Sequence, residues 1–455
     1  MKKSFTKISI YCSIFLLLAG AAKAQMADSS ADTEFKPHGK LWGYAFGDYA
    51  YKGSGDTLGS AAGTQNGGRG GSNQYTKVAP NTNFFQFRRV YLGYNYEISR
   101  RFVAEFLLAA EDNWGGGVVP GTGDVLANNK LAPYLKLANI RWKNIWHGTD
   151  LVVGQAPTPT FAQGSALKDY SRNSQTSEEV WGYRSIERTI ADTRRTGSFD
   201  FGATLQGWFD NRGDFGYDVM VGNGTGAKAE TDQYKWFYFN VYAKFMHKKL
   251  IVDLYQDYEK IDWGVWAPGA KTGVESPNGF RYHDRNMAKL YIAYTVPKLT
   301  IGFEGFMNTM LGDVVVTGLD KNTYYRTSKA TGLSLFVKGR ITKEQWGFFA
   351  RFDNYDPSGN LSNVVSDKNI KSYTASTSQY EPTTKEMFST FGIDYTPFKN
   401  VHIMPNVWLN TYQSALDVNG KNAAGTTYKS MNSNITGVKG TDAVYRLTFY
   451  YVYGK

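Results

Sequence analysis

The sequence predicts an all-β protein: a single 16-stranded antiparallel barrel of the kind that crosses a membrane. Three observations predict it. Segments of about ten residues alternate apolar and polar side chains with a period of two, and a strand sends successive side chains to opposite faces. Short and long connections alternate strictly along the chain. In strands two, three and six to sixteen, no charge is expected on the apolar parity between the two interfaces. A tilted strand of about 9–11 residues is enough to cross a bilayer.

The clearest hairpin is Met387–Leu409. Met387, Phe391, Ile393 and Tyr395 share one face of its first arm, and Val401, Ile403, Val407 and Leu409 share one face of its second. The Pro397–Asn400 turn joins them. Pro405 falls mid-strand on the apolar parity; it cannot donate to a ladder, and a local bulge is expected there.

The other strands follow in order. Gly39–Tyr51 has aromatics on both parities, so its faces stay unassigned. Phe84–Ile98 sets Val90, Leu92, Tyr94 and Tyr96 against Arg89, Tyr91, Gly93 and Asn95, then turns at Ser99-Arg100 into a strand from Phe102. Leu131–Trp142 pairs with Thr149–Gln155, Gly197–Phe209 with Asp214–Val221, and Tyr234–Met246 with Lys249–Tyr258. Asp284–Val296 pairs with Leu299–Asn308, and Thr331–Arg340 with Glu344–Tyr355. The last strand is Asp442–Tyr453. The eight long connections run to roughly 12–42 residues, too long for a compact soluble domain. Short turns on the periplasmic side, long external loops and an even strand count are the layout of an outer-membrane barrel. Closure also satisfies every backbone group and leaves no edge, which lipid requires.

Composition agrees. The 455 residues include 48 glycines and 16% aromatics, and past the N-terminus there is no run of some 18 apolar residues to make a membrane helix. Residues 1–24 read as a secretory signal: Lys2, Lys3 and Lys7, an apolar run from Ile8 to Ala19, then Ala22-Lys23-Ala24 before Gln25. The remaining 25–455 form one barrel domain. Cys12 is the only cysteine and lies in that apolar run, so the exported chain has no thiol for a disulfide, a metal or nucleophilic catalysis. Removing the four signal lysines from a net charge of +11 leaves +7. The basic residues are scattered, which is not the clustered face of a nucleic-acid binder.

The polar parity is charged: Arg89, Glu105, Asn139, Arg141, Asp218, Asn240, Lys244, Asp253, Lys289, Glu304, Lys338, Arg351, Asp353, Asp394 and Arg446. Charges inside a membrane face water and mark a solute path. From these, Arg89, Glu105, Arg141, Lys244, Lys289, Glu304, Lys338, Arg351 and Asp353 are the expected pore lining. The longest connection, residues 156–196, ends in a charged stretch whose Arg184, Glu187, Arg188, Asp192, Arg194 and Arg195 are the expected constriction. A charged loop folded into the lumen sets both width and electrostatic barrier.

Other chemistry finds little support. Gly222-x-Gly224-x-x-Ala227 lacks the helix that a dinucleotide fold requires. The five histidines have no zinc-ligand spacing. Asp353–Gly359 is an acidic corner that could hold Ca2+ or simply turn. No cofactor is implied. A barrel hydrolase would have only Ser389 near His402, with Ser389 on the lipid parity, and a structural or adhesive barrel with a blocked lumen is the other alternative.

Four stretches, FRRVYLGYNYEIS (Phe87–Ser99), RSIERTIADTRR (Arg184–Arg195), FARFDNYDP (Phe349–Pro357) and TPFKNVHIMPNVWLN (Thr396–Asn410), resemble the phosphate-selective porin (O and P type) family in its Bacteroidetes-type branch. The resemblance spans nearly all of residues 25–455. It implies a sixteen-stranded porin in outer-membrane lipid, usually a homotrimer. Its third loop would form the constriction, and small hydrophilic solutes or anions would pass. Two features depart from that pattern. Acids and bases mix on the lumen parity, where phosphate-selective members carry a basic ladder, and Gly454-Lys455 follow the terminal aromatic Tyr453.

Overall fold

A computed structural model describes residues 35–55, 80–111, 133–161, 197–226, 229–230, 233–262, 282–318, 323–342, 345–357, 370–375, 385–413 and 439–454. The signal segment and Arg184–Arg195 lie outside these. Seventeen strands form one antiparallel sheet. They are β1 (His38–Ser54), β2 (Thr82–Glu97), β3 (Phe102–Glu111), β4 (Pro133–Trp146), β5 (Thr149–Pro157), β6 (Phe199–Trp208), β7 (Phe215–Gly222), β8 (Trp236–Phe245), β9 (Leu250–Asp262), β10 (Tyr282–Val296), β11 (Leu299–Gly318), β12 (Thr323–Arg340), β13 (Trp346–Asp356), β14 (Ile370–Ala375), β15 (Lys385–Phe398), β16 (Val401–Gln413) and β17 (Lys439–Tyr453). Each pairs with the next around the wall, β13 pairs with β15, and β1 pairs with β17 over Gly43↔Tyr453 to Ser54↔Ala443. Sixteen strands thus close a transmembrane barrel, and β14 lies outside it.

The expected parity decides the faces. Leu254, Ile301 and Phe391 are 53%, 50% and 51% exposed, while Asp253 and Glu304, on the opposite parity of β9 and β11, are fully buried inside. Aromatics at the rim of short turns (Phe209, Trp346 and Phe398) are also exposed. The wall therefore turns apolar groups to lipid and polar groups inward. On β1, Trp42, Tyr44, Phe46, Asp48 and Lys52 are buried inside, and Leu41, Tyr49 and Tyr51 face out. Its small outward residues leave room for the seam: Tyr453 lies over Gly43 and Phe449 over Gly47. Gly454 then takes φ 72° against Leu41 and Trp42. A methyl group there would strike the Leu41 carbonyl, so glycine after the last aromatic fits the closed end.

Three expectations change. The lipid parity of β2 does contain a charge, Arg88, two residues from Val90. The ladder with β1 slips between Phe46 and Gly47, and this bulge turns both Arg88 and Arg89 inward, 1% and 3% exposed. A cation facing mid-bilayer lipid costs about 2–4 kcal/mol, whereas a disturbed ladder costs about one hydrogen bond, 0.5–1.5 kcal/mol. The bulge wins. Second, Pro405 produces no bulge. Gly392↔Asn406 and Tyr395↔Ile403 keep one register, and the slip comes later, between Tyr395 and Phe398. Proline removes a donor without inserting a residue, so pairing resumes unshifted. Third, the connection expected between Asn308 and Thr331 is mostly strand. The β11–β12 hairpin continues through Val314↔Arg326 to Thr317↔Thr323 after a bulge. From the connection before β15, β14 adds to the β11 side, Val314↔Ala375 to Thr317↔Ser372.

Candidate functional site: the barrel interior

The nine expected lining residues all lie on the inner face. Arg89, Glu105, Arg141, Lys289, Glu304, Arg351 and Asp353 are buried there, and Lys244 and Lys338 are half-buried. Most are tied to neighbours. Arg141 on β4 reaches three strands: Glu105 at 3.2 Å, Gln206 at 2.6 Å and Asp150 at 3.5 Å. Arg351 forms a two-pronged pair with Asp353 at 2.8 and 2.6 Å. A planar guanidinium suits such two-point contacts with a carboxylate.

Alternation hid two further cations. Arg88 is one. The other is Lys136 on β4, where the ladder slips between Leu107 and Leu108 and both Lys136 and Leu137 turn inward. Lys136 donates to the Tyr91 hydroxyl and sits 5.0 Å over that ring. Arg89 sits 5.2 Å over the same ring. Asp48 binds Arg88 at 3.2 Å and Arg446 at 3.7 Å, and accepts from Thr448. The two arginines flank the Trp408 indole at 5.2 and 4.5 Å, an arrangement that ring electrostatics favours. The signal in the sequence was a paired Arg88-Arg89: no strict alternation can put both inside.

Across the lumen the charge reverses. In a closed cylinder of sixteen, β9 stands eight strands from β1, which is diametrically opposite. Asp253, Asp257 and Glu259 on β9, with Asp218 on β7 and Glu304 on β11, are buried inside. Bases on this arc are Lys244 of β8, half-buried, Arg285, 3.8 Å from Glu259, and Lys289, 3.3 Å from Glu304; the five carboxylates still outnumber them. Acids dominate here and cations dominate around Arg88, so the charged groups of the described wall set a field across the channel axis.

The interior is also crowded. After β5 the chain turns into the barrel: Thr158 and Thr160 are fully buried, and a 3-10 turn, Pro159–Phe161, follows. Thr158 ties back to the two residues before β6 through its N–H to the Ser198 carbonyl at 3.2 Å and its hydroxyl to the Gly197 carbonyl at 2.8 Å. The turn packs on β7 and β8, and Lys289 of β10 donates to the Thr160 carbonyl. This is the root of the 156–196 connection, running along the inner wall. Its Arg184, Glu187, Arg188, Asp192, Arg194 and Arg195 lie outside the described residues.

Two alternatives lose their geometry. Ser389 pairs with Leu409 on the outer parity, while His402 pairs with Tyr450 near the rim of short turns and holds Asp394 at 2.9 Å. Seven residues of strand separate Leu409 from His402, roughly 23 Å. At the acidic corner, whose Ser358 and Gly359 lie outside the described residues, Asp353 binds Arg351 inside and Asp356 binds Lys385 at 2.9 Å outside. Among the described residues no group of His, Cys, Asp or Glu could hold a metal ion.

This architecture has solved counterparts. The outer membrane channel DcaP of Acinetobacter baumannii is 8% identical, with 93% of this chain and 99% of that one aligned at a TM-score of 0.54. OmpT of Vibrio cholerae, expressed in the outer membrane, is 9% identical over 93% and 100% of the two chains, with a TM-score of 0.50. A trimer form of in-vitro folded OmpT is 8% identical over 92% and 100%, also at 0.50. No protein-family model and no curated protein sequence matches the chain. The likeness is one of fold: a closed antiparallel transmembrane barrel.

Proposed function

We propose that the protein is an outer-membrane porin, exported through its N-terminal signal, that lets small hydrophilic solutes diffuse passively through a narrow lumen. The observation that carries this is the entry of Thr158–Phe161 into the barrel, with Thr160 held by Lys289 far around the wall. A loop root inside the lumen narrows a sixteen-strand channel, and width with lining charge sets what passes. The opposed arcs of charge support weak selectivity over a dedicated phosphate path. The pore-lining role of the nine inward residues belongs to this reading, as does the constriction role of Arg184, Glu187, Arg188, Asp192, Arg194 and Arg195. The trimer form known for OmpT supports a homotrimer embedded in outer-membrane lipid. No part of the reading needs an enzyme, a metal or a cofactor.

Purified protein in planar bilayers tests it. Stepwise conductance without an energy source is expected, and deletion of Ser185–Asp192 should raise it. A silent barrel favours the structural or adhesive alternative; unchanged conductance and ion preference after the deletion removes the constriction from that loop.

A further inference from the structure

We infer that Lys289 is a positioning residue that pins the root of the 156–196 connection across the lumen. Its ammonium is a hub. It donates to the Thr160 carbonyl and to Glu304 at 3.3 Å, and it sits 5.7 Å over the Tyr255 ring. Tyr255 itself hydrogen-bonds the Thr160 side chain and donates to Asp257 at 2.6 Å. The side chains of Lys289 and Glu304 are 1% and 0% exposed, and Thr160 is fully buried. An ammonium has three donors and no acceptor, so one lysine can serve a wall carboxylate and a loop carbonyl together.

The arrangement explains why a cation stands on the acidic arc. Glu304 is buried, and a buried carboxylate needs a partner. Lys289 is near enough to supply it from the adjacent strand, and the remaining donors face the incoming chain. The ion pair is therefore a wall feature, and its spare donor capacity catches the loop root. Besides its place on the inner wall, Lys289 has a structural task. It acts through the segment it holds, and losing it should let Thr158–Phe161 leave the wall.

The test exploits the near absence of cysteine. In a Cys12→Ser background, Thr160→Cys puts a single thiol on the pinned turn and keeps the backbone carbonyl that Lys289 binds. With Lys289 present, the thiol should react slowly with a membrane-impermeant maleimide. Adding Lys289→Met should speed labelling by roughly tenfold or more, the scale of losing one charge-assisted hydrogen bond. Because that variant takes from Glu304 its ammonium partner, the double change Lys289→Met/Glu304→Gln restores the charge balance of the wall and should label equally fast. Slow labelling in both variants, or fast labelling with Lys289 intact, overturns the inference. Conductance is read in parallel and rests on the porin reading: unpinned channels should conduct more. If no variant conducts but labelling still follows Lys289, the porin reading fails and the latch stands.

Discussion

Asp48 shows how much one lumen carboxylate does. It holds Arg88 and Arg446 on either side of Trp408, and all three charged groups are essentially buried. Removing one member of such a set leaves uncompensated charge. Asp48→Asn should lower the unfolding free energy by about 3 kcal/mol, measured by urea titration in lipid vesicles; a loss below about 0.5 kcal/mol would mean that water already screens the arginines. In the β6–β7 turn, Asp210 accepts from the Phe215 N–H at 2.8 Å and the Arg212 N–H at 3.1 Å. The Phe215 bond, above all, holds its carboxyl below the ordinary value of 3.8. A carboxyl lowered on folding stabilises above its unfolded pKa and loses that contribution as pH falls through the folded one. Asp210→Ala should therefore lower thermal stability at pH 7 and make little difference in strong acid. An equal deficit at both pH values would assign the loss to turn geometry instead of charge.

The elements explain which local rules bend. The β8–β9 turn puts three successive non-glycine residues in the left-handed region, Met246, His247 and Lys248 at φ 54°, 58° and 66°. Each carries a steric cost of about 1–2 kcal/mol that glycine avoids. Lys248 is engaged with the Arg212 carbonyl at 2.6 Å and Asp214 at 3.6 Å, so His247 is the residue to replace. His247→Gly should stabilise the barrel by about 0.5–1 kcal/mol after the entropy of a freer unfolded chain is subtracted; a lower unfolding midpoint would place an unrecognised contact at His247. The β11–β12 hairpin teaches a different lesson. At 20 and 18 residues these strands outrun the roughly 9–11 that cross a bilayer. The run Val314-Val315-Val316 is good strand sequence, yet it follows a stretch already long enough to span, and so it reads as loop. Its strand character depends on β12 and β14 flanking it.

Over the whole molecule, the opposed arcs bear on selectivity. Arg88, Arg89, Lys136 and Arg446 line one side, and the carboxylates of β7, β9 and β11 line the other. Neutralising one arc should tip the channel toward the ion that the other attracts. Arg88→Gln with Arg89→Gln should shift the reversal potential in a salt gradient toward cations, and Asp253→Asn with Asp257→Asn toward anions. Both shifts should shrink as ionic strength rises and the screening length shortens. Potentials unmoved by either pair would place the selectivity filter outside the described wall. The inward turn at Thr158 belongs to the same scale, because it joins residues far apart in sequence, Thr160 and Lys289.

The sequence by itself determined the sixteen strands of the wall and the face of nearly every side chain; the alternation of short and long connections fails only where β11 and β12 run on as strand. These follow from a period of two imposed by backbone geometry and from the large cost of charge in lipid, both of which act locally. It even marked Ser389 as lying away from the lumen. Only the tertiary structure decided what depends on a neighbouring strand. The bulges that bring Arg88 and Lys136 inside, the unbroken register at Pro405, the strand pairing above the membrane and the Lys289 contact all require knowing what stands across the ladder or the lumen. Periodicity contains no record of that, because cross-strand partners are set by closure of the cylinder.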